Sequence, residues 1–160
     1  MGSRPSPLGA VAKGAIAGTL GTAAMTGAQT LAYKIQDTEG STTPAEVAKR
    51  IIKGVFGRDV PEEKTELLNN VMHWSYGTGW GVLYGLTQGS AQGSAMKAGL
   101  LFGAAVWGAS LVELPAMGLA PPVWEYPLSS LAQDVGFHLV YGAATGVAFA
   151  AIDRRAEAVD

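Results

Sequence analysis

Four stretches of this chain stay apolar for long enough to cross a bilayer, and polar segments separate them. The 20 residues from Gly14 to Tyr33 carry no charge and are bracketed by Lys13 and Lys34. At about 1.5 Å per residue they reach across a hydrocarbon core of about 30 Å. A second uncharged stretch begins at Leu67 and runs to Met96, broken by the polar turn Gln88 to Ser94. A third runs from Ala98 toward Pro115 with Glu113 as its one charge, and a fourth, Val135 to Ile152, is closed by Asp153, Arg154 and Arg155. The pattern predicts an all-α polytopic membrane protein: one membrane domain over residues 1–160, with spans at about 14–34, 67–88, 98–115 and 130–152. A soluble helical bundle is the alternative, but its helices need charge on the water-facing side, and the second and fourth segments have none over several turns.

The second and fourth segments repeat one another. His73-Trp-Ser-Tyr76-Gly77 aligns with His138-Leu-Val-Tyr141-Gly142, then Gly81-Val82 with Gly146-Val147 and Tyr84 with Phe149. The first and third share a weaker echo, Gly14 and Gly18 against Gly99 and Gly103. The chain therefore reads as two tandem helical hairpins of the same orientation. The repeat also argues against reading the first segment as a cleaved leader with Arg4 and Lys13 as its basic region. Gly77, Gly81 and Gly85, and likewise Gly142, Gly146 and Ala150, recur every fourth residue and form one small-residue stripe per helix, which lets backbones approach.

Between the first two spans, Thr43-Pro44-Ala45-Glu46 sets out an N-cap, a first-turn proline and a capping-box glutamate. An amphipathic helix over about 44–56 follows, with Val47, Ile51, Ile52, Val55 and Phe56 on one side and Lys49, Arg50 and Lys53 on another, as for a helix lying in the headgroup region or for a solvated cap packed over the bundle. Pro61 then opens the approach to the second span, with Glu62, Glu63 and Glu66 in the first turns. After the third span, four prolines between Pro115 and Pro127 interrupt regular helix. Trp74, Trp124, Tyr126 and Tyr33 fall at one membrane surface, as an aromatic belt.

Composition narrows the chemistry. Charged residues make up 15% of the chain and glycine 22 of 160 positions, and the net charge is -2, which argues against a nucleic-acid partner. The absence of cysteine excludes thiolate chemistry and Cys-based metal sites. No P-loop, serine elbow or H-E-x-x-H occurs, and Gly77-Thr-Gly79-Trp80-Gly81 lies within an apolar helix rather than after a strand. The expectation is a protein that is not an enzyme and has no cofactor.

The turn Pro115-x-Met117-Gly118-Leu119-x-Pro121-Pro122, followed by Gly136-Phe-His138 and a closing Asp153-Arg154-Arg155, resembles the YagU-like bacterial inner-membrane proteins, as does His73 followed by Trp74 and a glycine-rich helix. The resemblance covers roughly residues 70–155 and does not extend to Glu113. It implies a small multi-pass inner-membrane protein associated with acid tolerance, without an established mechanism.

Ionisable residues within a membrane are functional candidates by default. His73 and His138 begin their helices from the end where Glu113 completes its own, with Tyr76 and Tyr141 one turn deeper. These five are the candidate proton-responsive residues, because histidine titrates near pH 6.5. Structural histidines bonded to backbone or tyrosine are the plainer alternative, and a metal site of both histidines with Glu113 or Glu125 is a weaker one. The rival function is a scaffold or accessory subunit that packs its glycine stripes on a second copy or within a larger membrane complex. Basic residues flanking the spans place both termini in the cytoplasm.

Overall fold

The computed structural model describes residues 6–88 and 93–157; Arg4 and most of the polar turn from Gln88 to Ser94 lie outside them. Five α-helices follow in order: α1 (Pro7–Gln36), α2 (Thr43–Phe56), α3 (Thr65–Gln88), α4 (Ala95–Ala116) and α5 (Leu128–Glu157), with short 3-10 turns at Glu62–Lys64 and Val123–Glu125. Among the described residues there is no strand. The long helices start earlier than their uncharged runs because caps, not hydropathy, set their ends. Ser6 accepts from the Gly9 amide at 3.1 Å ahead of Pro7, and Ser94 accepts from the Lys97 amide at 3.3 Å.

The expected start of α2 differs. Thr42, not Thr43, is the N-cap, and no side chain of α2 caps it. Asn69 of α3 does so instead, its Oδ1 accepting from the Ala45 amide at 3.1 Å while its amide donates to the Ser41 carbonyl at 3.2 Å. Glu46 turns to Lys49 rather than back to the cap.

Three helices, α1, α4 and α5, are long and apolar enough to cross a membrane. α3, expected as a fourth, falls short because its first half carries Glu66, Asn69, Asn70 and His73. The distribution of side chains is nevertheless inverted relative to a water-soluble bundle. Leu20, Leu31, Leu83, Leu101, Val112 and Val147 face outward, whereas the interior holds Ala17, Thr22, Gly81, Tyr84, Tyr141 and Thr145. Small residues with a few aromatic rings inside and many large aliphatics outside suit a solvent of lipid tails, in which close packing rather than apolar burial joins helices.

α1 packs antiparallel on α3, and α4 antiparallel on α5, through glycine. Gly81 is wedged against Gly14 and Gly18, and a Cβ placed on Gly18 would stand 2.6 Å from the Gly81 Cα. Gly146 is wedged in the same way against Ala95 and Gly99, and Gly142 against Gly99 and Gly103. With the histidine repeats aligned, Gly14 therefore corresponds to Ala95 and Gly18 to Gly99. The echo of Gly14 and Gly18 in Gly99 and Gly103 is one helical turn out of register, because the glycine four residues further along α4 serves a second contact on α5.

The two pairs meet through α1 and α5. Lys13 bonds Asp153 at 2.6 Å at one end, and Gly21 lies so close to Thr145 and Tyr141 that a Cβ there would stand 2.8 Å from the Tyr141 carbonyl oxygen. The backbones of α3 and α4 do not approach in this way. Phe102 and Trp80 occupy the corresponding positions and hold the helices apart, with ring centroids 6.2 Å from each other; Tyr84 packs 4.8 Å from Phe102 and 5.5 Å from Phe149.

Candidate functional site

The separation of α3 from α4 and the polar ends of four helices leave a cavity of about 610 Å³ at the end of the bundle away from Lys13 and Asp153. Its walls include Thr26 and Tyr33 of α1, His73 and Tyr76 of α3, Glu113 of α4, and Asp134, His138 and Tyr141 of α5. α2 and the proline-rich turn roof it through Pro44, Val47, Met117, Pro121 and Tyr126. Among the described residues no lysine or arginine lines it.

Each histidine is held in one tautomer by its partner. The Thr26 hydroxyl donates to the Thr22 carbonyl at 2.8 Å, as threonines in helices do, so it can only accept from His73 Nε2 at 3.1 Å. His138 Nδ1 donates to the Asp134 carbonyl at 2.8 Å and lies 3.5 Å from the Asp134 carboxylate. Asp134 in turn accepts from Trp107 Nε1 at 3.0 Å. The other ring nitrogen of each histidine has no protein partner among the described residues.

All five sequence candidates line this one cavity, but not in the grouping expected. Glu113 accepts from Tyr76 Oη at 2.8 Å across the α3–α4 gap and is not the partner of either histidine. The carboxylate beside His138 belongs to Asp134. Tyr141 is 2% exposed and donates to the Gly77 carbonyl at 2.6 Å, whereas its repeat equivalent Tyr76 is 36% exposed. Gly77, Gly81, Gly85, Gly142 and Gly146 all face intrachain backbone or side-chain contacts. The weak metal candidates do not assemble: no three His, Asp or Glu side chains among the described residues come together in ligating geometry.

Asp134 had a readable signal. It stands four residues before His138, as Asn69 does before His73, so the repeat extends one turn further toward the helix start than the histidine. Asn69 ties α2 to α3, and Asp134 ties His138 to Trp107. Arg50 had no such signal: its Nε and Nη2 donate to the Met117 carbonyl at 2.9 and 2.6 Å, pinning α2 to the turn at Gly118, whose φ of +67° favours glycine. Pro115 fits inside the last turn of α4, and the Gly118 amide closes onto its carbonyl at 2.9 Å. Lys49 bridges Glu46 at 3.2 Å and Glu62 at 3.1 Å. Hydrogen bonding to Glu62 and then Glu46 holds the Lys49 ammonium above its ordinary pKa, and the same bond from Lys49 holds the Glu62 carboxyl below its own.

Comparison with known proteins places residues 57–147 under the family described as protein of unknown function, DUF1440. That match takes in the α3 and α4 helices, the proline-rich turn and α5 through Val147. No curated protein and no solved structure gives a significant match.

Proposed function

The chain belongs to the DUF1440 family, and from that premise we propose that it is a YagU-like bacterial inner-membrane protein that responds to acid through His73 and His138. The observation carrying this reading is that the two repeat histidines line one cavity, each with one nitrogen donated to the protein and the other free to take a proton. Acid then places two imidazolium charges in a shared space whose other titratable groups, among the described residues, are Glu113, Asp134 and the tyrosines Tyr33, Tyr76, Tyr126 and Tyr141. Their repulsion, offset in part by the two carboxylates, loosens the roof or the α3–α4 seam.

In this reading α3 is a fourth span, giving two tandem hairpins. Glycine contacts and the His73–Thr26 bond run along α1 from Gly14 to Thr26, about 18 Å of helix, so α3 accompanies α1 through the bilayer. Both termini are cytoplasmic, because Lys13, Arg154 and Arg155 flank spans at one end. α2 lies in the interface, with Ile51, Val55 and Phe56 exposed toward lipid. The partner is the bilayer itself, and no catalysis is assigned. A scaffold built on the glycine stripes is less favoured, because those glycines are already used within the chain.

The test is thermal unfolding of the detergent-purified protein from about pH 4.5 to 8, wild type against the His73→Gln/His138→Gln double variant. A pH-dependent step in the wild type that disappears in the variant supports the reading. Parallel curves would make both histidines structural.

A further inference from the structure

The geometry points to the cavity as a binding site for an amphipathic organic cation that enters from the bilayer interface between α3 and α4. The inference rests on the membrane reading above and names the ligand class of the same cavity. Three observations carry it. The volume, about 610 Å³, falls within the range of small-molecule sites. The charged side chains lining it are Glu113 and Asp134, with no lysine or arginine among the described residues. Arg50, which reaches the roof from α2, is spent on the Met117 carbonyl. With the histidines neutral, an anion would meet two carboxylates and no lysine or arginine, whereas a cation would find both carboxylates within one cavity.

Aromatic faces complete the chemistry. Tyr33 and Tyr76 supply π surfaces in the same cavity as Asp134 and Glu113, which is what a cation with apolar substituents takes and a hydrated inorganic ion does not. Met25, Val106 and Phe137 form an apolar floor for the rest of the molecule.

The route in is the α3–α4 seam. Backbone packing seals α1 to α3, α4 to α5 and α1 to α5, whereas above Trp80 and Phe102 the α3–α4 seam is bridged by the Tyr76–Glu113 hydrogen bond, whose two residues are both exposed. Glu113 lies three residues before the end of α4, at the depth where amphipathic cations partition. An arriving cation takes the place of the Tyr76 hydroxyl on Glu113, so the hydrogen bond that closes the seam is the one the ligand replaces.

Tetraphenylphosphonium and tetraphenylborate share a shape and differ in the sign of charge. Equilibrium dialysis of each against the purified protein at about pH 7.5, above the ordinary histidine range, reads the preference with protein-free micelles as blank. Saturable retention of the phosphonium, little of the borate, and about tenfold weaker phosphonium binding in Glu113→Gln/Asp134→Asn are expected. Tyr76→Phe keeps the ring but frees Glu113, and should tighten binding several-fold. Equal retention of both ions, or phosphonium binding unchanged in the carboxylate variant, would overturn the proposal; if that variant does not fold, the borate arm and Tyr76→Phe still decide. A pH-dependent melting step without cation binding sinks this inference alone, and cation binding without the step sinks only the histidine switch.

Discussion

The two seams that join the helical pairs stand at corresponding places and are built from opposite materials. Between α1 and α5, Gly21 meets Thr145 and the helices lie backbone to backbone; between α4 and α3, Phe102 meets Trp80 and they stand apart. The glycine contacts within each pair are alike, so the repeat is kept where packing is concerned and abandoned at one of the two junctions. The consequence is a bundle with one locked side and one side held by aromatic rings and a tyrosine–carboxylate bond. The histidines share the cavity that this asymmetry opens.

The comparison can be broken most severely at the locked contacts. Leucine at Gly81 or Gly146 must displace backbone atoms of α1 or α4, and the expected cost is at least ~3 kcal/mol, the upper end of overpacking, read as lost expression or melting in detergent. Wild-type behaviour of both variants would contradict the register described. Phe102→Ala attacks the open seam and should cost about 2 kcal/mol, less than in a soluble core because lipid replaces water around the separated chain and packing contacts are the main loss. Its removal should also let α3 and α4 approach.

A finer contrast sets the repeat tyrosines against each other. Tyr141→Phe removes a buried bond to the Gly77 carbonyl and should lower stability by about 1 kcal/mol, whereas Tyr76→Phe, at the rim, should leave the melting temperature near that of wild type. Equal losses would mean that the α3–α4 bridge is as structural as its counterpart. The smallest effect lies in the roof. Because the Glu62 carboxyl is held below its ordinary value, the Lys49–Glu62 tether is fully present above the usual carboxylate range and is lost as pH falls through the lowered value. Hydrogen-exchange protection of α2 should therefore drop below the usual carboxylate range in the wild type, and that carboxylate-range step should be absent in Glu62→Gln, whatever loosening the histidines bring at higher pH.

Hydropathy and glycine spacing were enough to read the long helices and the small-residue stripes on which they pack, because a period of four small residues has few other uses in an apolar helix. The histidine repeat likewise pointed to one end of the bundle. What failed to read were contacts between distant segments. Depth along α4 put Glu113 at the same end of the bundle as the histidines, yet depth says nothing of azimuth, and its carboxylate accepts from Tyr76. Thr43 had the residue type of an N-cap, but Asn69, remote in sequence, competes for the same amides. The polar first half of α3 lowers its hydropathy for the reason that it lines the cavity, so a span pattern weakens where a site begins.

The claim that the α3–α4 seam is the movable one can be tested by distances measured between spin labels. The chain has no cysteine, so pairs introduced at the exposed Leu83 and Leu101, and in a second protein at Leu20 and Val147, would report each seam without background. Double electron–electron resonance in lipid at about pH 7.5 and about pH 5 spans the titration of histidine. The account predicts an α3–α4 distance distribution that broadens or shifts in acid while that of α1–α5 stays narrow and fixed. An unchanged α3–α4 distribution, or movement of α1–α5 in its place, would contradict it.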